Sequence, residues 1–115
     1  MRYMLMIYTD PKAEPQEGTP EQMQMFEGYG RFTEDVNKAG IVQSSERLRP
    51  VTDATTVRVR DGKTVITDGP FAETREQLGG YYLLDCKDLA HAQALAAKIP
   101  GAEHGSIEVR PIFEM

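Results

Sequence analysis

Cysteine, histidine and tryptophan are scarce in this chain, and their scarcity excludes several kinds of site. Among 115 residues there are one cysteine, two histidines and no tryptophan. The lone Cys86 excludes an intrachain disulfide, as is usual in a reducing compartment. His91 and His104 are widely spaced and form no CxxC or HExxH pattern, so the spacing does not fit a zinc site. No glycine loop opens a helix, and we therefore expect neither a metal nor a nucleotide or flavin cofactor.

Long apolar runs and a concentrated basic surface are also missing. No run approaches the roughly 18 residues of a membrane span, and the start "MRYMLMIY" is too short and strand-like for a signal peptide. The net charge of −5 and the pI of about 5.0 argue against nucleic acid, since phosphate binding needs clustered basic side chains. We expect a cytoplasmic protein whose partner is a small molecule or another protein, with no membrane or nucleic acid.

The length and the pattern of apolar residues predict one α+β domain over 1–115. Strands are predicted at 2–9, 41–48, 77–85 and 106–114. One helix is predicted from the Thr19 N-cap to Gly40 and a second after the Asp88 N-cap. Their apolar stripes consist of Met25, Tyr29, Phe32 and Val36 in the first helix and Leu89, Ala92, Leu95 and Ile99 in the second.

Residues 54–67 predict a β-hairpin. Asp61-Gly62 joins two β-branched runs as a two-residue turn, which pairs Val57 with Ile66 and Val59 with Thr64. The apolar side chains then share one face and the arginines the other, so we expect the hairpin to be exposed on one side.

The strands at 2–9 and 81–84 are apolar on both faces, and this pattern predicts a second layer on each. Two helices cover one face of such a sheet. The other face needs a partner, because a large exposed apolar sheet is a liability. A homodimer with its sheets packed face to face meets this need.

Three segments carry a resemblance to a known family: "RYMLMIY" at the start, "ATTVRVRDGKTVITDGPFAETREQLGG" (54–80) and "GSIEVRPI" (105–112). With these motifs the whole chain resembles the DGPF-type proteins of the YCII-related family. The resemblance implies a ferredoxin-like domain that pairs into a dimeric α/β-barrel, here with an extra β-hairpin. It also implies a bacterial protein of unassigned activity, with relatives encoded beside or fused to extracytoplasmic-function sigma factors.

Some members of the broader family are proposed to use a His–Asp pair, and a few relatives act as dehydrochlorinases or as isomerases of the muconolactone type. In this chain Tyr29 stands where many relatives place the histidine. The His–Asp pair therefore cannot be assigned to this chain, and only its acidic member, Asp68, matches the family motif.

Asp68 is the candidate catalytic residue. An Asp in a turn usually accepts the N–H two residues on, but Pro70 has none. Asp68 should share a face with Ile66 and Val57, where desolvation would raise its pKa and suit it to acid–base work. The alternative is that its carboxylate accepts another turn N–H and pins the loop.

Four further residues are candidate ligand contacts: Tyr29, Arg47, Phe71 and Glu73. Tyr29 offers a phenol, and Arg47, at a strand end, suits a carboxylate. Core packing for Tyr29 and Phe71, and surface ion pairing for Arg47 and Glu73, are the structural alternatives.

Two functions remain open. One is a cofactor-free enzyme that moves a proton on a small polar molecule, as an isomerase or lyase does, with Asp68 as acid–base. The other is a non-catalytic dimeric protein that binds a ligand or assists sigma-factor regulation.

Overall fold

The computed structural model describes residues 1–114, which form six strands, two α-helices and two short 3₁₀ helices. The strands are β1 (Arg2–Thr9), β2 (Val42–Arg47), β3 (Thr55–Arg60), β4 (Lys63–Asp68), β5 (Gln77–Asp85) and β6 (Gly105–Pro111). The α-helices are α1 (Pro20–Lys38) and α2 (Leu89–Ala96), and the 3₁₀ helices are Val51–Asp53 and Pro100–Glu103.

Four strands make one antiparallel sheet in the order β2-β5-β1-β6. Each half of the main unit is a strand, a helix and a strand, and the two inner strands, β1 and β5, pair with each other. Both helices pack on one face. This arrangement is consistent with a ferredoxin-like α+β fold, and the α+β class predicted from the sequence is confirmed.

The core lies between this sheet and the two helices. Every second residue of β1 and β5 points into it, and α1 and α2 supply the second layer. The buried apolar side chains are Tyr3, Leu5, Ile7, Phe32, Val36, Tyr82, Leu84, Cys86, Ala92, Ala96 and Ile99. Phe32 and Tyr82 meet edge to face with centroids 5.0 Å apart, and the Tyr82 hydroxyl lies 2.7 Å from that of Thr33.

The helices begin where the sequence predicts, but their ends and faces differ in part. Thr19 accepts the Gln22 N–H at 3.2 Å, and α1 ends at Lys38, two residues before the predicted Gly40. Leu89 was expected on the buried stripe of α2, yet it is 46% exposed. It stands in the first turn, and the buried stripe of α2 runs instead through Ala92 and Ala96.

The hairpin of β3 and β4 forms a separate two-stranded sheet with the predicted register. Val57 pairs with Ile66 and Val59 with Thr64 around an Asp61-Gly62 turn in which both residues have positive φ. The sequence predicted that the hairpin would be exposed on one side, and this prediction was wrong for a single chain. The apolar face is exposed too, because no other element within residues 1–114 covers it.

In the described part of the chain, the opposite face of the four-stranded sheet carries no helix. Met4, Met6, Tyr81 and Leu83 lie on this open face and are half-buried. No helix within residues 1–114 is long and apolar enough to cross a membrane.

Candidate functional site

A cleft of about 750 Å³ opens between the first half of α1 and the ends of β1, β2 and β5. Its walls are mostly apolar, and its polar groups come from a few side chains and from exposed backbone. The residues that line it are Ile7, Thr9, Pro11, Glu14, Met25, Phe26, Tyr29, Ser45, Glu46, Arg47, Leu48, Arg49, Pro50, Val51, Thr52, Gln77, Leu78, Gly79, Gly80, Tyr81 and Tyr82.

Two glycines of β5 shape the floor of this cleft. The β1–β5 register shifts between Ile7 and Tyr8, which leaves Gly79 as a bulge. A Cβ added at Gly80 would lie 2.7 Å from the carbonyl oxygen of Glu46, so β2 approaches β5 there more closely than a side chain permits. Glycines inside a strand pattern indicate a bulge or a close backbone approach, and Gly79 and Gly80 provide one of each. The absence of a side chain at Gly80 thus lets the backbone of β2 approach β5 at the floor of the cleft.

Arg47 is the cationic group that the cleft offers to a ligand. It is the last residue of β2 and pairs with Gly80, and its guanidinium carbon stands 5.6 Å from the centre of the Phe26 ring. Within residues 1–114 Arg47 forms no ion pair with a carboxylate. Its neighbour Arg49, in contrast, binds Asp53 at 2.9 Å. A planar guanidinium that is held on an aromatic ring and forms no ion pair suits an anion.

Tyr29 projects from α1 into the same cleft. Burial, the largest effect, raises the pKa of its phenol above the usual value, while the Gly101 backbone and Arg47 act to lower it. A Cβ added at Gly101 would stand 2.7 Å from the phenol oxygen, so this glycine makes room for the hydroxyl. At neutral pH the phenol stays protonated and is a hydrogen-bond donor.

Glu14 is a cleft residue that the sequence did not single out. It belongs to the loop between β1 and α1, is half-buried, and accepts a hydrogen bond from the Thr9 hydroxyl. Phe26 was also missed, although it precedes Tyr29 by three residues and so lies on the same side of α1. That helical spacing was a usable signal for Phe26, whereas a polar loop gives no comparable signal for Glu14.

The DGPF turn lies outside the cleft in the single chain. Gly69, at φ +95°, holds the turn through its backbone: its N–H donates to Ala54 O at 2.7 Å, and its carbonyl accepts from the Thr56 hydroxyl at 2.8 Å. This conformation requires glycine. Within residues 1–114 the hydrogen bonds that hold the turn are made by Gly69 and do not involve the Asp68 carboxylate.

Asp68, Phe71 and Glu73 are therefore separated from Tyr29 and Arg47. All three side chains are exposed, and Phe71 is 78% exposed, so it is not a core residue. Asp68 does share a face with Ile66 and Val57, as predicted. Of the five candidate residues, the structure thus brings together two, Tyr29 and Arg47, in the cleft.

The cleft can bind and orient a small molecule through a cation, a phenol donor and an apolar wall. Within residues 1–114 no cluster of three or more histidine, cysteine or acidic side chains is arranged to hold a metal ion. Glu14 is a carboxylate that faces the same space.

Two comparisons with known proteins agree on the relationships of this chain. The YCII-related domain model matches residues 1–115. An uncharacterized protein of Rhizobium meliloti (strain 1021) is 36% identical over 114 residues, which cover 97% of this chain and 92% of that relative. The chain belongs to the YCII-related domain family.

Proposed function

We propose that this protein binds a small organic acid with an apolar body in the cleft under α1. The observation that carries the proposal is Arg47, an arginine without an acidic partner that is stacked on Phe26 at the mouth of an apolar cleft. The ligand's carboxylate would accept hydrogen bonds from Arg47, and its body would lie along the apolar wall. Tyr29 would donate a further hydrogen bond to a polar group on the ligand.

We further propose that the protein works as a homodimer in which two open sheet faces meet, as in a dimeric α/β-barrel. Met4, Met6, Tyr81 and Leu83 form an apolar patch on a sheet face that no helix covers. A second copy would remove this patch from water. Light scattering at micromolar concentration should give twice the chain mass, and a stable monomer would contradict this part of the proposal.

The ligand proposal is tested by calorimetric titration with benzoate, 4-chlorobenzoate and phenylacetate, with benzamide as the uncharged comparison. Arg47→Gln should weaken binding of the best acid by roughly ten- to a hundredfold, since hydrogen bonds to charged groups contribute about 1.5–3 kcal/mol. Arg75→Gln is the matched control because Arg75 is exposed and lies outside the cleft. Equal affinity for benzamide and benzoate, or unchanged binding in Arg47→Gln, would refute the proposal.

A second candidate function is proton transfer on the bound molecule, with Asp68 as acid–base. The free carboxylate of Asp68 on an apolar hairpin face favours it, and the position of Asp68 outside the cleft makes ligand binding without catalysis the stronger proposal. The test is turnover of a cleft ligand by wild type and Asp68→Asn. Loss of turnover with retained binding would establish catalysis, and equal turnover would exclude Asp68 from it.

A further inference from the structure

The β3–β4 hairpin is an arm that stands away from the rest of its chain. Each strand has six residues, so the arm extends about 20 Å. Neither strand packs extensively on the helices or on the main sheet. The radius of gyration is 16.1 Å, whereas a compact chain of this length has about 13 Å. We call residues 55–68 the arm.

The arm has one apolar face and one basic face. Val57, Val59 and Ile66 share the first and are 60%, 62% and 67% exposed. Asp68 lies at the root of this face. Arg58, Arg60 and Lys63 lie on the other. A two-stranded hairpin is marginally stable by itself in water, so an ordered arm with this pattern needs a surface to pack on.

The open sheet face of the same protein is apolar at its centre and carries charges of both signs at its margins. Its patch of Met4, Met6, Tyr81 and Leu83 is apolar. Beside it lie Glu46 and Glu108, opposite Tyr81 and Met6 in the register, and Arg110, which is opposite Met4 and 4.0 Å from Glu108. The arm carries three basic and two acidic residues, whereas the whole chain has a net charge of −5. The rest of the chain therefore carries −6 against +1 for the arm, so net charge does not oppose the approach of the arm to a second copy.

The area of the open sheet face also indicates that the arm contributes to the dimer interface. From strand spacing, the open sheet face covers roughly 400 Å² and one arm face roughly 200 Å². Stable interfaces bury about 800 Å² of accessible surface on each partner, and the arm adds about half as much again to the sheet face.

We propose that the arm of one copy packs its apolar face, Val57, Val59 and Ile66, on a second copy of this chain. This inference rests on the proposed homodimer and specifies the contact that secures it. It also gives the DGPF segment a role, because Gly69 fixes the root of the arm and Asp68 would lie at the edge of the interface. The arm emerges from the mouth of the cleft, since Val51 and Thr52 line the cleft just before β3 and Gln77 lines it just after the DGPF segment.

The test compares Ile66→Glu with Val65→Glu by analytical ultracentrifugation over a range of concentrations. These neighbours differ in face: Ile66 is on the apolar face, and Val65, 43% exposed, is on the basic face. Ile66→Glu should raise the dimer dissociation constant at least tenfold, and Val65→Glu should change it by about twofold or less. Far-UV circular dichroism checks that both variants fold, and both positions are exposed in the single chain.

The outcomes separate this inference from the homodimer itself. If wild type is a dimer and the two variants dimerise equally, the arm contact is wrong and the dimer stands. If wild type is a monomer, both are wrong, and a different protein is the partner to seek. Hydrogen exchange of residues 55–68 gives a second measurement: protection should rise with protein concentration, and protection independent of concentration would contradict docking on a second copy.

Discussion

Gly80 is the residue on which the geometry of the cleft most depends. It lies on the helix-facing side of β5, in the row that continues from Leu84 and Tyr82, and it pairs with Arg47. Because it has no side chain, the backbone of β2 comes close at Glu46, and the guanidinium of Arg47 is placed at the cleft mouth.

Gly80→Ala should therefore destabilise the fold and disturb the cleft, whereas Gly79→Ala should not. The added methyl at position 80 would meet Glu46 O at 2.7 Å, and at position 79 the nearest atom, Ile7 O, stands at 3.9 Å. Overpacking of this kind costs typically 1–3 kcal/mol. Urea unfolding of the two variants measures the difference. Equal stability of both would show that β2 can shift without cost.

The candidate residues were partly predictable from sequence. The helical stripe identified Tyr29 as a candidate, and the position at a strand end identified Arg47. Both residues line the cleft. Glu14 lies in an irregular loop whose path is set by tertiary contacts, and no periodic pattern points to it. Asp68 was placed on the correct face of the hairpin, but its distance from the cleft depends on where the arm extends, and strand alternation does not specify that.

At the scale of elements, α2 depends on its N-terminal cap. The Asp88 carboxylate accepts the His91 N–H at 2.8 Å, and His91 Nδ1 accepts the Lys87 N–H at 3.1 Å, so two otherwise unpaired donors are satisfied. The helix has eight residues and would be marginal without this cap and its core contacts.

Asp88→Ala should lower the free energy of unfolding by about 1 kcal/mol, because the His91 N–H then loses its acceptor. Asp88→Ser is the matched variant, since a serine hydroxyl accepts the same bond. Thermal unfolding should show a midpoint several degrees lower for the alanine variant, with the serine variant close to wild type. A midpoint for Asp88→Ala equal to that of wild type would mean that solvent or His91 replaces the cap.

Sequence patterns predicted the elements well where one local rule governs them. The Asp-Gly turn and the β-branched runs specified the hairpin and its register. Alternation also identified which residues share a face, but it says nothing of what covers that face. For this reason the exposure of the apolar face of the arm could not be predicted.

The whole molecule is flat, with extents of 48 × 44 × 18 Å, because one layer of helices lies on one layer of sheet. Cys86 is buried between the two layers, and Tyr29 is partly buried and packs against the same core. Burial raises the pKa of the Cys86 thiol and is also the largest cause of the raised pKa of the Tyr29 phenol.

These shifts predict that the fold loses stability at alkaline pH. An unfolded thiol releases its proton near about pH 8.5 and an unfolded phenol near about pH 10. The folded protein retains both protons to higher pH and thus binds more protons than the unfolded chain, so the free energy of unfolding falls as pH rises. The stabilisation is fully present below about pH 8.5 and is lost as the pH passes through the raised values.

Urea unfolding between pH 7 and pH 11 measures this slope. Cys86→Ala should flatten it above about pH 8.5 and Tyr29→Phe above about pH 10, whatever either substitution does to stability at pH 7, because each removes one proton that the folded state retains. Gln24→Ala changes an exposed residue that does not titrate and should leave the slope unchanged. If the slopes of Cys86→Ala and wild type coincide, the thiol is not protected by the fold, and water reaches the layer between α2 and the sheet.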